Sequence, residues 1–151
     1  MARALANHDF QENHFVQINP YLNFRGDCRE AFELYARVLG GKIEMMQTHG
    51  DSPMKDQTAP EWRDKILHAH LTVGGEAIMG SDAPPQHYEK PQGLWVSLNV
   101  GKPAEAKRIY EALGENAREV RMPLQKTFWG TFAMFIDRFG TPWAVNADQS
   151  D

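Results

Sequence analysis

Apolar positions along the chain follow two periods, and the periods change in the same order twice. INPYLNF (18–24) reads as a short strand, ended by Arg25–Gly26–Asp27. Cys28, Ala31, Phe32, Tyr35, Val38 and Leu39 then recur every three to four residues, the spacing of one helix face. Asp27 stands as the expected N-cap, with Glu30 three residues on as in a capping box. Gly40–Gly41 stops the helix. KIEMMQTH (42–49), KILHAHLTV (65–73) and EAIMGSD (76–82) read as strands, separated by the polar loop 50–64 and the Gly74–Gly75 turn. APPQHYEKPQG (83–93), with its prolines, reads as a linker.

The order then returns. LWVSLNV (94–100) is a strand, and Pro103 suits the first turn of a helix whose apolar face is Ala106, Ile109, Tyr110 and Leu113. REVRMPLQKT (118–127), FWGTFAMFID (128–137) and TPWAVNA (141–147) supply three more extended segments. YLNF (21–24) is echoed by SLNV (97–100), and Ala31 and Tyr35 by Ala106 and Tyr110. The chain therefore divides into an N-terminal arm (1–17), a first βαβββ module (18–82), a linker (83–93), a second module (94–147) and a polar tail (148–151). Neither module is large enough to bury both faces of its own sheet, so each must pack against the other or against a second chain.

Composition narrows the setting. The chain has 151 residues and a net charge of −4, which disfavours nucleic acid or an anionic membrane as partner. No apolar run is long enough to span a bilayer. Cys28 is the single cysteine, so no internal disulfide forms, and a cytoplasmic location is the simplest expectation.

The segments PYLNFRGDCREAFELYARVLGG, HAHLTVGGEAIMGSDAPP and TFWGTFAMFIDRFGTPWAVN resemble the PhnB-like branch of the glyoxalase/bleomycin resistance/dioxygenase proteins. This is the vicinal oxygen chelate superfamily, and the branch is also labelled 3-demethylubiquinone 3-methyltransferase-like. The resemblance runs over about residues 18–147 and implies an α+β fold, with two βαβββ modules forming curved mixed sheets around a cavity. It also implies a homodimer. In the metal-using members it implies four ligand positions, on the first and last strands of each module. Registered on the glycine turns, these fall on Pro20, on Met79 or Gly80, on Trp95 and on Ala144. None of these side chains holds a divalent cation. The expectation is a protein that binds a small molecule without the usual metal site and without a cofactor. The alternative is a metal-assisted lyase, isomerase or dioxygenase with a displaced site at His68 and His70.

Candidate binding residues follow from strand alternation. His68 and His70 share a face, with Glu44, His49 or Asp51 as possible third ligands of a displaced metal. Tyr21 and Asn23 share a face opposite Pro20, Leu22 and Phe24, and Asn99 repeats Asn23. In the run 128–135, Phe128, Gly130 and Phe132 fall on one face, and Trp129, Thr131, Ala133 and Phe135 on the other. Gly130 beside Trp129 reads as room for a ligand ring, with Trp129 on the pocket wall; the competing reading makes Trp129 core. Cys28 falls on the apolar helix face and reads as a small core residue. No nucleophile elbow, P-loop or G-x-G-x-x-G follows a strand, so S-adenosylmethionine is not expected despite the methyltransferase label.

Overall fold

The computed structural model describes residues 16–148, so residues 1–15 of the expected arm (1–17) and the last three tail residues lie outside the described residues. Strand β1 (Tyr21–Phe24) leads into helix α1 (Cys28–Leu39), followed by β2 (Lys42–Thr48), β3 (Ile66–Val73) and β4 (Glu76–Asp82). Then come β5 (Val96–Val100), α2 (Pro103–Leu113), β6 (Glu119–Lys126), β7 (Gly130–Ile136) and β8 (Pro142–Asp148). The loop after β2 is folded into three short 3-10 turns, between His49 and Trp62.

Two mixed four-stranded sheets result, ordered β1-β4-β3-β2 and β5-β8-β7-β6. In each, the first strand runs parallel to the last and the other pairs are antiparallel. β1 and β2, like β5 and β6, run the same way at opposite edges of their sheet, so the chain must cross over between them, and the helix makes that crossover.

Each sheet has one covered face and one open face. On the covered side of the first sheet lie Leu22, Phe24, Ala69, Leu71 and Ile78, packed against Ala31, Phe32 and Tyr35 of α1. On that of the second lie Val96, Ala133, Phe135, Trp143 and Val145, against Ala106, Ile109 and Leu113 of α2. All belong to one continuous core. Burial of each large side chain contributes about 1.5–3 kcal/mol. The modules thus satisfy each other through their helix-bearing sides, and no strand of one sheet pairs with the other.

Two buried carboxylates fix this arrangement. Asp137, after β7, is fully buried. It accepts hydrogen bonds from the Phe139 and Thr141 amides (2.8 and 3.0 Å), the Trp143 indole (2.8 Å) and the Tyr35 hydroxyl (2.5 Å). The last of these comes from the first module, and the Tyr35 ring also meets Trp143 edge-on at 5.0 Å. Burial, and then the neighbouring Asp137 charge, push the Tyr35 hydroxyl well above the ordinary tyrosine range. Asp82, at the end of β4, accepts the amides of Gly26, Cys28 and Ile66.

That second set corrects the expected helix start. Asp27 makes no side-chain cap bond. The free amide at the head of α1 is taken instead by Asp82, 54 residues away. The C-terminus behaves as expected: Gly40 is left-handed at φ 67° and its amide bonds the Ala36 carbonyl.

Candidate functional site

The strand pairings set the open face of the first sheet in rows. Tyr21 lies opposite Met79, Met79 opposite His70, and His70 opposite Met45. In the next row Asn23 lies opposite Ser81, and His68 opposite Gln47. This face thus holds Tyr21, Asn23, His68 and His70 together. The cause is local: with Leu22, Phe24, Ala69 and Leu71 committed to the core, alternation turns their neighbours outward.

Tyr21 and His68 form a unit. The Tyr21 hydroxyl stands 3.0 Å from His68 Nδ1, and the rings stack with centroids 5.7 Å apart. Tyr21 is half exposed. Asn23 donates to the Glu89 carbonyl at 3.0 Å, tying the linker to this face. His70 makes no hydrogen bond among the described residues. A phenol and imidazole in contact can orient a polar ligand, and can exchange a proton with it.

Trp129 belongs to the other open face, and here the sequence expectation needs correction. The strand starts at Gly130, not at 128. Phe128 and Trp129 form the tip of the β6–β7 hairpin, closed by the Thr127 amide bonding the Gly130 carbonyl at 2.6 Å. Phe128 is 90 % exposed and Trp129 41 % exposed, so neither is core. The Trp129 ring lies edge-on to Phe132 at 5.5 Å, and its N–H donates to Asn146 Oδ1 at 3.0 Å. Asn146 pairs with Phe132 on one side and Asn99 on the other. A tryptophan folded over Phe132, Asn146 and Asn99 gives this sheet a compact aromatic and amide surface. Asn146 was missed by the sequence reading; its place two residues before the strand end, in register with Asn99, was the available signal.

Gly130 does not make room for a ligand. A Cβ there would collide with the Ala147 carbonyl oxygen, so glycine is required by the approach of β8. The expected common wall of Tyr21, Asn23, His70 and Trp129 draws on both sheets. Tyr21, Asn23, His68 and His70 share the first sheet's open face, and Trp129 stands over the second's. A cavity of about 570 Å³ lies beside β5, walled by Ile18, Pro20, Ala77, Ile78 and Val96, and none of the five residues lines it.

The metal positions resolve in the same terms. Met79 and Ala144 sit on open faces, opposite Tyr21 and Ser97. Gly80 faces α1, where a Cβ would press on the Phe32 ring at 2.9 Å. Glu44 is held by Thr72 (2.9 Å), and His49 reaches the Asp82 carbonyl (3.3 Å). Among the described residues no three His, Cys, Asp or Glu side chains gather where a metal ion can be held. Cys28 is fully buried, and burial pushes its thiol up, away from the reactive thiolate. No described helix is long and apolar enough to cross a membrane.

Comparison with known proteins agrees with this architecture. The sequence model of the family described as 3-demethylubiquinone-9 3-methyltransferase matches residues 16–146. Protein YjdN of Escherichia coli (strain K12) is 33% identical over 140 residues, covering 87% of this chain and 95% of its own. The crystal structure of protein PA1353 from Pseudomonas aeruginosa superposes with a TM-score of 0.82 at 49% identity, over 90% of this chain and 100% of that one. A glyoxylase/bleomycin resistance protein/dioxygenase domain from Frankia sp. EAN1pec shares the fold, with a TM-score of 0.61 at 17% identity, over 90% and 93% of the two chains. The chain belongs to the 3-demethylubiquinone-9 3-methyltransferase family, and its fold is that of the glyoxylase/bleomycin resistance protein/dioxygenase domain.

Proposed function

We propose that this protein binds a flat or aromatic small molecule on its open sheet faces. Tyr21, Asn23, His68 and His70 act as polar anchors from one sheet, and Trp129 as the aromatic wall from the other. The observation that carries the reading is the Tyr21–His68 pair: a hydrogen-bonded, stacked phenol and imidazole on an open strand face, beside a second histidine with a free ring. Core packing does not call for these groups, since the buried face of the same strands already supplies the core. An apolar surface bearing a few directed polar groups is the chemistry of a small-molecule site.

The two groups of residues belong to different sheets, and the reading includes a homodimer. A second copy can lay its Trp129 face over the first copy's Tyr21 face and enclose the ligand between them. The exposed Phe128, Trp129, Met45 and Tyr21 supply the apolar surface that such a contact buries. No metal enters this reading, and neither does methyl transfer.

The test is titration with anilinonaphthalenesulfonate and a panel of aromatic acids, read by dye and tryptophan fluorescence. Trp129→Ala and Tyr21→Ala should each weaken binding by about 1–3 kcal/mol while the melting temperature stays close to wild type. Unchanged affinity in both variants would remove these residues from the site.

A further inference from the structure

The open face of the first sheet also sets three soft donors in one line. Met45 on β2, His70 on β3 and Met79 on β4 are successive partners in a single row across three neighbouring strands. Residues directly opposite one another on a sheet have Cβ atoms about 4.5–5.5 Å apart. A methionine on each side therefore brings both thioether sulfurs within reach of the imidazole between them.

We propose that Met45, His70 and Met79 form a binding site for a soft monovalent metal ion, Cu(I), with Ag(I) as its redox-inert analogue. Thioether and imidazole donors select such ions. None of the three donors carries a negative charge, which suits a single positive charge and gives a hard divalent ion no carboxylate to bind. The nearby acid, Glu44, is engaged by the Thr72 hydroxyl at 2.9 Å and by Lys42 at 3.7 Å.

Two local features set these residues apart from ordinary packing. The pairing of β2 with β3 shifts between Ile43 and Met45, leaving Glu44 as the extra residue. After that shift the consecutive methionines divide: Met46 packs against the core and Met45 turns outward, 48 % exposed. The two histidines divide as well. His68 is held by Tyr21 at 3.0 Å, whereas His70 makes no hydrogen bond among the described residues and keeps its ring nitrogens for a ligand.

The site shares His70 with the small-molecule reading, so its test rests on the two methionines and on a different probe. The test is titration of the purified protein with Ag(I), and anaerobically with Cu(I) against a chromogenic chelator. The wild-type protein should bind one equivalent, with shifts of the Met45 and Met79 methyl resonances. Met45→Leu and Met79→Leu keep apolar volume and should each weaken binding at least about tenfold, the double variant abolishing it. Unchanged melting curves in these variants show that the fold is intact. His70→Gln provides a second check that does not touch the thioethers. Failure of the wild type to bind Ag(I) or Cu(I), or affinity unchanged in the leucine variants, overturns the proposal, whatever the dye does.

Discussion

Replacing Tyr35 by phenylalanine probes the joint between the two modules. The substitution removes one oxygen and leaves the ring, with its tilted contact to Phe32 and its edge-on contacts to Phe139 and Trp143, in place. The lost hydroxyl donates to Asp137 at 2.5 Å and lies 2.8 Å from Thr141 Oγ1, both at fully or nearly fully buried positions. A hydrogen bond to a charged group contributes about 1.5–3 kcal/mol, and removing one partner leaves the other desolvated. Asp137 keeps three donors, so the charge is not orphaned, and the cost falls at about 2–3 kcal/mol. For a chain of this size each kcal/mol moves Tm by about 2–4 °C, giving a fall of roughly 4–12 °C. Urea unfolding followed by tryptophan fluorescence and far-UV dichroism should show a lower midpoint with the slope unchanged. Tyr110, the counterpart in the second helix, makes no hydroxyl hydrogen bond among the described residues. Tyr110→Phe should therefore stay within about 0.5 kcal/mol of wild type. A Tyr35→Phe cost no larger than that of Tyr110→Phe would refute the claim that this hydroxyl ties the modules together.

Three further outcomes are expected. Gly130→Ala should cost roughly 1–3 kcal/mol or more in urea unfolding, because its Cβ meets the Ala147 carbonyl; a neutral result would show that β8 moves freely there. Asp27 has its carboxyl raised above the usual range by burial and then by Asp82, and its Oδ1 is buried without a partner among the described residues. Its ionised form therefore burdens the folded state at neutral pH, and the burden lifts as pH falls through the raised folded-state value. Asp27→Asn should raise Tm at neutral pH, with a gain that shrinks toward acid; a gain independent of pH would contradict this. Native protein should leave Cys28 unlabelled by a thiol reagent until urea unfolds the chain, whereas prompt labelling would contradict its burial.

The fold was legible where periodicity carried it. The Cys28–Leu39 helix, its Gly40 stop and the Pro103 helix start follow from local spacing and capping, which act within a few residues. Alternation also placed Tyr21 with Asn23 on one face and His68 with His70 on one face. Long-range hydrogen bonds were not legible. Asp82 takes the first helix amide while the cap expected of Asp27 does not form, and Asp137 takes the Tyr35 hydroxyl from 102 residues away. The D-x-F-G-x-P-W pattern at 137–143 carried the resemblance, and its buried aspartate and tryptophan act as a structural joint. Alternation misled at Trp129, because a tight turn begins before the strand does. The row of Met45, His70 and Met79 was invisible for the converse reason: it exists only once three strands are in register.

The central claim is that one binding site is shared between two copies, with Tyr21 and His68 from one and Trp129 from the other. Mixing two inactive variants, Tyr21→Ala/His68→Ala and Trp129→Ala, tests it most directly, after brief unfolding and refolding together. Each variant alone should bind anilinonaphthalenesulfonate weakly. The mixed dimer holds one undamaged site, so the refolded mixture should regain tight binding at about one quarter of the wild-type number of sites, by random pairing and the shared-site geometry. A mixture that binds no better than the average of its two components would contradict the account.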